Sequence, residues 1–206
     1  MKRIAVFASG RGSNFIKIYR NILRGKIPAQ VACFLTDNPQ AAALQFALKH
    51  HIPHAVLSPK NFSDPYHFGQ EMLSFLQQHQ SEWIVLAGYL KKIPDNVVTI
   101  YKNKIVNIHP ALLPAFGGKG MYGMHVHDAV YASGVKVSGV TVHLVNEIYD
   151  AGPIVMQKAV DIEDCQNPSQ IAAKVLKVEH RVYSQALIKL FTCSYSIQGN
   201  RIVFNE

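Results

Sequence analysis

Short apolar runs alternate with amphipathic stretches along the first half of the chain. Runs such as KRIAVFA and WIVLA have the length of buried strands and are too short for core helices. The predicted strands cover 2–8, 30–35, 54–57, 83–87 and 104–108. Apolar residues spaced three or four apart predict helices over 13–26, 39–50, 65–79 and 94–101. This alternation favours a parallel sheet that is covered on both faces.

The second half has a different pattern. Proline and glycine recur between 110 and 123, which predicts a long loop of the kind that often carries function. A helix over 125–132, strands over 137–145 and 154–162, a helix over 169–190 and a hairpin turning at 199–200 are predicted to follow. In the strand 137–145, apolar residues alternate with Thr141 and His143, which is typical of a half-exposed strand. The whole pattern predicts an α/β, Rossmann-like fold: a mostly parallel twisted sheet with helices on both faces, then a long C-terminal helix and hairpin.

Composition excludes several classes of protein. With 49% hydrophobic and 17% charged residues, the chain is not intrinsically disordered. Three cysteines among 206 residues cannot form a disulfide framework, so we expect Cys33, Cys165 and Cys193 to be small core residues. No apolar run approaches the roughly 18 residues of a membrane span, and the start lacks the pattern of a secretory signal. We therefore expect a soluble, cytoplasmic protein of one domain, 1–206.

The formal net charge is +8, and the excess of basic residues is concentrated near the N-terminus. Seven Lys and Arg residues precede the first acid, Asp37. A basic N-terminal third attracts anions such as phosphate esters, polyglutamate tails or nucleic acid. A solvated basic surface without any partner remains an equal alternative.

The segment SGRGSN, residues 9–14, lies between the first strand and the first helix. Glycines let the backbone approach an anion, and the free N–H groups of a helix start point at it. Ser13 and Asn14 suit the N-cap position. The dinucleotide fingerprint needs a third glycine where Phe15 stands, and Asp37 lies too far along for its acid. The segment therefore favours a single phosphate, with a plain tight turn as the alternative.

Asn107 and His109 stand at the carboxyl end of the fifth predicted strand, where open α/β sheets bind ligands. Residues two apart in a strand project to the same side. An amide donor beside an imidazole can hold a developing oxyanion and move a proton. The alternative is a histidine that only caps the loop.

Two acidic residues are further candidates. Asp150 precedes a small-Gly-Pro turn, and its carboxylate could orient His109 and favour the protonated imidazole by raising its pKa. The alternative is ordinary turn chemistry. Glu179 lies on or beside the apolar stripe of the long helix, where an acid needs a partner such as a ligand hydroxyl or amine. A carboxylate at the margin of the stripe explains Glu179 equally well.

A metal site is not expected. His125, His127 and His143 could suggest zinc, but no cysteine or acid at suitable spacing completes a ligand set.

Five segments, taken together and in order, resemble a known family. They are SGRGSN, LAGYLKKI, NIHPALLPAFGGKGMYG, VTVH and YDAGPI. The chain is similar to the formyltransferase-hydrolase family over essentially its whole length, and SGxGSN points to the glycinamide ribonucleotide branch. The resemblance implies transfer of a formyl group from the cosubstrate 10-formyltetrahydrofolate to the amine of glycinamide ribonucleotide, in de novo purine synthesis. It also implies a phosphate-binding half, about 1–100, and a catalytic and folate-binding half, about 101–206.

The same resemblance implies roles for individual residues. Asn107 and His109 would bind the oxyanion of the tetrahedral adduct, and Asp150 would hold His109 and assist proton transfer. His143 would support these groups. The ribonucleotide would contact Gly12, Ser13 and Asn14 through its phosphate, and Glu179 through its ribose or amine.

The folate would lie against the segment 86–93 and the loop 145–150, largely through backbone groups. The expected contacts are Leu86, Tyr89, Leu90, Lys91, Lys92, Ile93 and Asn107. Leu176 stands where many family members have a basic residue. Lys174 or Lys177 would then make the phosphate or carboxylate contact of that basic residue. Lys91 and Lys92 could serve the glutamate tail, because the segment 60–65 lacks the arginine that some members have.

The expected partners are these small molecules, with no nucleic acid and no membrane, in a monomer or homodimer. A methionyl-tRNA formyltransferase would need a further C-terminal domain, and a formyltetrahydrofolate deformylase an N-terminal regulatory domain. A nucleotide-dependent oxidoreductase is disfavoured by the missing third glycine. A nucleic-acid-binding module is suggested only by the charge.

Overall fold

The computed structural model describes residues 1–205, and the chain divides into two compact units. Unit 1 is Met1–Val106 and unit 2 is Asn107–Glu206. The strand β5 (Ile105–His109) begins in the first unit and ends in the second.

Unit 1 alternates strands and helices. Its elements are β1 (Lys2–Phe7), α1 (Ser13–Leu23), β2 (Ala29–Thr36), α2 (Ala42–Lys49), β3 (His54–Val56), a 3-10 turn (Pro59–Asn61), α3 (Pro65–Gln78), β4 (Trp83–Leu86) and α4 (Asp95–Ile100). The strands lie in the order β3-β2-β1-β4, and each neighbouring pair is parallel. The last four residues of β1 are completely buried. A central parallel strand is covered on both faces, which explains why β1 is apolar without alternation.

Unit 2 is built on antiparallel and parallel pairs. Its elements after β5 are α5 (Met124–Ala132), β6 (Val137–Leu144), β7 (Ile154–Asp161), α6 (Pro168–Thr192), β8 (Tyr195–Gln198) and β9 (Arg201–Phe204). The strand order β6-β7-β9-β8 combines antiparallel β6–β7 and β8–β9 pairs with a parallel β7–β9 pair. Asn167 caps α6 by accepting a hydrogen bond from the Gln170 amide, and Pro168 occupies the first helical turn, where proline is favoured.

The predicted fold class is confirmed, and the predicted elements match the observed ones within a few residues. One detail is wrong: β6 is not half-exposed, because Thr141 and His143 are buried together with its apolar residues. Both polar side chains make hydrogen bonds that permit burial. Cys33 is buried as expected, whereas Cys165 and Cys193 are partly exposed. No helix within residues 1–205 combines the length and apolar character that crossing a membrane requires.

Candidate active site

Strand β5 presents Asn107 and His109 as alternate residues, so both side chains project from the same face. Ile108 lies between them, buried on the opposite face. The apolar neighbours anchor the strand, and the two polar side chains are left to meet groups from other parts of unit 2.

Four polar side chains of unit 2 converge at this point. Asn107 Nδ2 lies 3.2 Å from His143 Nε2. Asp150 lies between the two imidazoles, with one carboxylate oxygen 3.7 Å from His109 Nδ1 and the other 3.5 Å from His143 Nε2. His109 and His143 are 3% and 2% exposed, so these groups interact with little screening by solvent. Three candidates named from the sequence and the supporting His143 are therefore brought together.

Backbone carbonyls fix the tautomers of both histidines, because a carbonyl oxygen can only accept. His109 donates its Nε2–H to the Phe116 carbonyl at 2.8 Å, and His143 donates its Nδ1–H to the Leu144 carbonyl at 2.9 Å. The Nδ1 of neutral His109 is therefore unprotonated and faces Asp150. The Nε2 of neutral His143 accepts one N–H of Asn107, which leaves the other N–H of that amide for a ligand.

Burial lowers the pKa of His109 below its ordinary value of 6.5, although the Asp150 charge and the Phe116 carbonyl act to raise it. As expected, the charge of Asp150 by itself favours protonated His109, but the net shift of the pKa is downward. The pKa falls because the free energy lost by desolvating the imidazolium is larger than the attraction it gains from one carboxylate at 3.7 Å. His109 therefore rests neutral, as a base requires.

The pKa of Asp150 lies below its ordinary value, even though burial acts to raise it. The Gly118 amide favours the carboxylate in every state of the cluster, and His143 and His109 favour it further whenever the ring nitrogen that faces Asp150 carries a proton. Gly118 donates its N–H to Asp150 Oδ2 at 2.9 Å. Asp150 therefore stays ionised next to a neutral imidazole.

The segment Phe116–Gly118 holds both catalytic candidates through its backbone, Phe116 on His109 and Gly118 on Asp150. Between them, a Cβ on Gly117 would stand 2.4 Å from Leu113 Cδ2 and 3.3 Å from Asp150 Cβ, so a larger residue would have to displace the Leu113 side chain and press on Asp150. Phe116 and Asp150 both have positive φ angles, 55° and 54°, although neither is a glycine. Such strain persists where the surrounding bonds enforce it, and it is common at functional sites.

A second set of polar residues, which sequence reasoning missed, holds the loop after β5. Thr141 Oγ1 donates to the Ala111 carbonyl and accepts the Leu113 amide, and Gln157 donates to the Leu113 carbonyl. Thr141 and Gln157 are cross-strand partners in β6 and β7. Only their register in the sheet brings them to the loop, and no local pattern encodes that register.

In unit 1, the loop SGRGSN leads from β1 into α1, which begins at Ser13. The N-cap is Gly12 in a left-handed conformation with φ 71°, whereas Ser13 and Asn14 belong to the helix. The expectation that one of these two caps the helix is wrong, and among the described residues no side chain caps α1. A Cβ on Gly12 would stand 2.6 Å from the Cβ of Ala43, so the close approach of α2 also requires glycine. The uncapped amides of the first turn can bind an anion.

The segment predicted to contact folate follows β4. Leu86, Tyr89 and Ile93 are buried, whereas Leu90 is 46% exposed. Between Leu90 and Ile93 stand Lys91 and Lys92, and each of them pairs with an acidic residue of unit 1. Lys91 pairs with Asp37 at 3.5 Å, and Lys92 pairs with Asp95 at 2.8 Å. A role for either lysine toward a glutamate tail remains a prediction.

Glu179 lies half-buried on α6. Of the two lysines considered to replace the missing basic residue, Lys174 hydrogen-bonds to Asp164. Lys177 is exposed on the same helix. No cluster of three or more His, Cys, Asp or Glu side chains able to hold a metal ion occurs in residues 1–205.

The family model described as formyl transferase matches residues 2–187. The chain belongs to the formyl transferase family. The predicted family is thereby confirmed.

Similar members of the formyl transferase family include a phosphoribosylglycinamide formyltransferase of Bacillus subtilis. It is 40% identical over 92% of this chain and 95% of the relative. The chloroplastic phosphoribosylglycinamide formyltransferase of Arabidopsis thaliana is 41% identical over 90% of this chain. The chain spans 64% of the Arabidopsis relative and 60% of a similar one from Vigna unguiculata.

Solved structures of the formyl transferase family have the same fold. Glycinamide ribonucleotide transformylase 1 from Symbiobacterium toebii matches with a TM-score of 0.93, at 31% identity over 100% of this chain and 95% of that one. The transformylase 1 from Geobacillus kaustophilus gives 0.86, at 40% identity over 92% and 98% of the two chains.

Proposed function

We propose that this chain transfers the formyl group of 10-formyltetrahydrofolate to the amine of glycinamide ribonucleotide, giving formylglycinamide ribonucleotide and tetrahydrofolate. The observation that carries the proposal is the buried cluster of Asn107, His109, His143 and Asp150, in which one amide N–H and one imidazole nitrogen are left for a reaction. Relatives named for this substrate support it, at about 40% identity.

In the first step, the amine nitrogen attacks the formyl carbon and the carbonyl electron pair moves onto oxygen. The N–H of Asn107 that His143 does not use donates to this oxyanion. The attacking nitrogen loses a proton to His109 Nδ1, which is unprotonated in the resting enzyme. Charged His109 then adds its own electrostatic stabilisation to the oxyanion.

In the second step, the adduct collapses. The oxyanion re-forms the carbonyl, the bond from carbon to N10 of the folate breaks, and N10 receives the proton from His109 Nδ1. Asp150 makes both transfers feasible because its carboxylate stabilises the transient imidazolium and keeps the ring oriented. His109 returns to its neutral tautomer, still bonded to Phe116.

The binding contacts follow from the family resemblance. The phosphate would contact Gly12, Ser13 and Asn14, a role supported by the uncapped start of α1. Glu179 would bind the ribose or the amine. The folate would contact Asn107 and the segment 86–93, in which Leu90 offers an exposed apolar side chain.

Spectrophotometry of folate deformylation, with and without glycinamide ribonucleotide, tests the proposed function. We expect turnover only when the ribonucleotide is present, with no added metal. Equal consumption of 10-formyltetrahydrofolate in its absence would indicate hydrolysis of the folate and would replace the transferase proposal.

A further inference from the structure

Asp37 directly follows β2, which ends at Thr36. Here the carboxylate is only 10% exposed, and both of its oxygens are occupied within unit 1. Oδ1 accepts a hydrogen bond from the Ser9 hydroxyl, and Oδ2 lies 3.5 Å from Lys91 Nζ. Asp37 therefore acts inside the protein, on the loops around it.

Ser9 connects Asp37 to the segment after β4. The Ser9 hydroxyl accepts the Leu90 amide at 2.9 Å, and the Ser9 amide donates to the Gly88 carbonyl at 3.0 Å. Because the hydroxyl has one proton, donating it to Asp37 leaves its lone pairs for Leu90. Asp37 thus fixes the direction of a hydroxyl that joins the loop 9–14 to the segment 88–91.

We propose that Asp37 is a positioning residue that, through Ser9 and Lys91, holds the phosphate-binding loop and the folate-binding segment in register. The identity of these two ligands rests on the proposed function. The three strands β2, β1 and β4 are parallel neighbours, so the residues after them emerge at one edge of the sheet in unit 1. At this edge the largely buried carboxylate of Asp37 adds side-chain bonds to the backbone bond between Ser9 and Gly88, and so ties the two loops more firmly.

Substrate kinetics of Asp37→Asn test the consequence for binding. We expect the KM values of both substrates to rise about tenfold while kcat stays close to the wild-type value, since a bond to a charged group is lost away from the reacting atoms. The matched control is Asp95→Asn, which removes a carboxylate paired with the next lysine, Lys92, on an exposed surface. The control should leave both KM values unchanged. A rise in only one KM, or an equal rise in the control, would overturn the proposal.

Amide hydrogen exchange tests the link without any substrate. In Asp37→Asn, the Leu90 amide should exchange about tenfold faster, because a neutral amide oxygen accepts the Ser9 proton more weakly than a carboxylate does and no longer pairs with Lys91. Unchanged protection of Leu90 would refute the link even if the enzyme turns over as proposed. Conversely, a wild-type enzyme inactive on glycinamide ribonucleotide would refute the proposed function and leave the exchange result to decide on Asp37.

Ser9→Ala covers the case in which Asp37→Asn does not fold. It removes the connecting hydroxyl alone, and we expect the same rise in both KM values and the same faster exchange at Leu90. If Asp37→Asn does fold, it can be combined with Ser9→Ala. The KM values of the double variant should equal those of the more affected single variant, because both changes weaken the same chain of hydrogen bonds. Fully additive effects would show that the two residues act separately, contrary to the proposal.

Discussion

The proposed catalytic cluster of unit 2 and the proposed anion-binding loop of unit 1 present polar groups to a ligand in different ways. In unit 2, burial and neighbouring groups shift the pKa values of His109 and Asp150. In unit 1, the loop before α1 offers backbone amides that do not titrate. A site that moves protons needs tuned pKa values, whereas a site that holds a phosphate needs only fixed donors.

The two regions also differ in how they use left-handed backbone. In the loop of unit 1, glycine supplies the positive φ angle at Gly12 without steric cost. In unit 2, Phe116 and Asp150 adopt it although they have side chains, and hydrogen bonds from His109 and from the Gly118 amide hold them there. In this cluster the strain falls on two residues whose carbonyl or carboxylate contacts the proposed catalytic groups.

Removing the amide of Asn107 should give the largest difference in kinetic behaviour between substitutions in the two regions. Asn107→Ala loses an oxyanion donor, so kcat should fall by about 10²–10³. Asn14→Ala, in the phosphate-binding loop, should instead raise the KM of the ribonucleotide with kcat nearly retained. Steady-state kinetics of both variants measure the difference. If Asn107→Ala changed only KM, its assignment to the oxyanion would be wrong.

Neutralising Asp150 should be almost as severe and should also move the pH profile. Asp150→Asn removes the partner of the imidazolium, so kcat should fall by about 10². The charge of Asp150 raises the pKa of His109, so without it that pKa falls further and the acid limb of kcat/KM moves to lower pH. Measuring the residual kcat/KM of Asp150→Asn as a function of pH shows in which direction the acid limb moves. An acid limb that moves to higher pH would contradict the assignment of His109 as the base.

A methyl group at Gly117 should disturb the cluster without touching its polar atoms. In Gly117→Ala the new Cβ meets Leu113 and Asp150, so kcat should fall about tenfold through misplacement of the carboxylate. Gly120→Ala, in the same loop, is the contrasting control: at a φ of 90° a side chain strains the backbone, but its Cβ would meet nothing within 4 Å. Comparable loss of kcat in both variants would mean that strain in the loop, rather than contact with Asp150, is responsible.

The smallest effect should come from Gly12→Ala, in the region that does not titrate. Its Cβ would collide with Ala43, so we expect a raised KM for the ribonucleotide and a lower melting temperature, with an unchanged pH profile. Gly25→Ala has nearly the same φ, 68°, and meets nothing within 4 Å. Comparing the melting temperatures and KM values of Gly12→Ala and Gly25→Ala distinguishes the effect of the contact with Ala43 from that of backbone strain. A change in KM that both variants share would argue against a special role of Gly12.

Local features of the chain were predictable. The helices and strands follow from apolar spacing, and the loop before α1 follows from glycines placed between a strand and a helix. The alternation in β6 misled, because Thr141 and His143 look like solvent-facing residues and are in fact buried with hydrogen-bond partners. The periodicity of a strand depends only on which side chains are polar. It does not show whether a polar side chain has a hydrogen-bond partner in the protein interior.

The amino-acid sequence alone determined the order of elements, the α/β class and the positions of the glycine loop and the Asn107–His109 pair, since each depends on residues close together in the chain. Tertiary structure alone decided that Asp150 lies beside both imidazoles, that His109 rests neutral, and that Asp37 faces Ser9 and Lys91. The reason is physical: electrostatic energy and desolvation depend on distances of a few ångströms and on burial, which distant segments create only when they fold together.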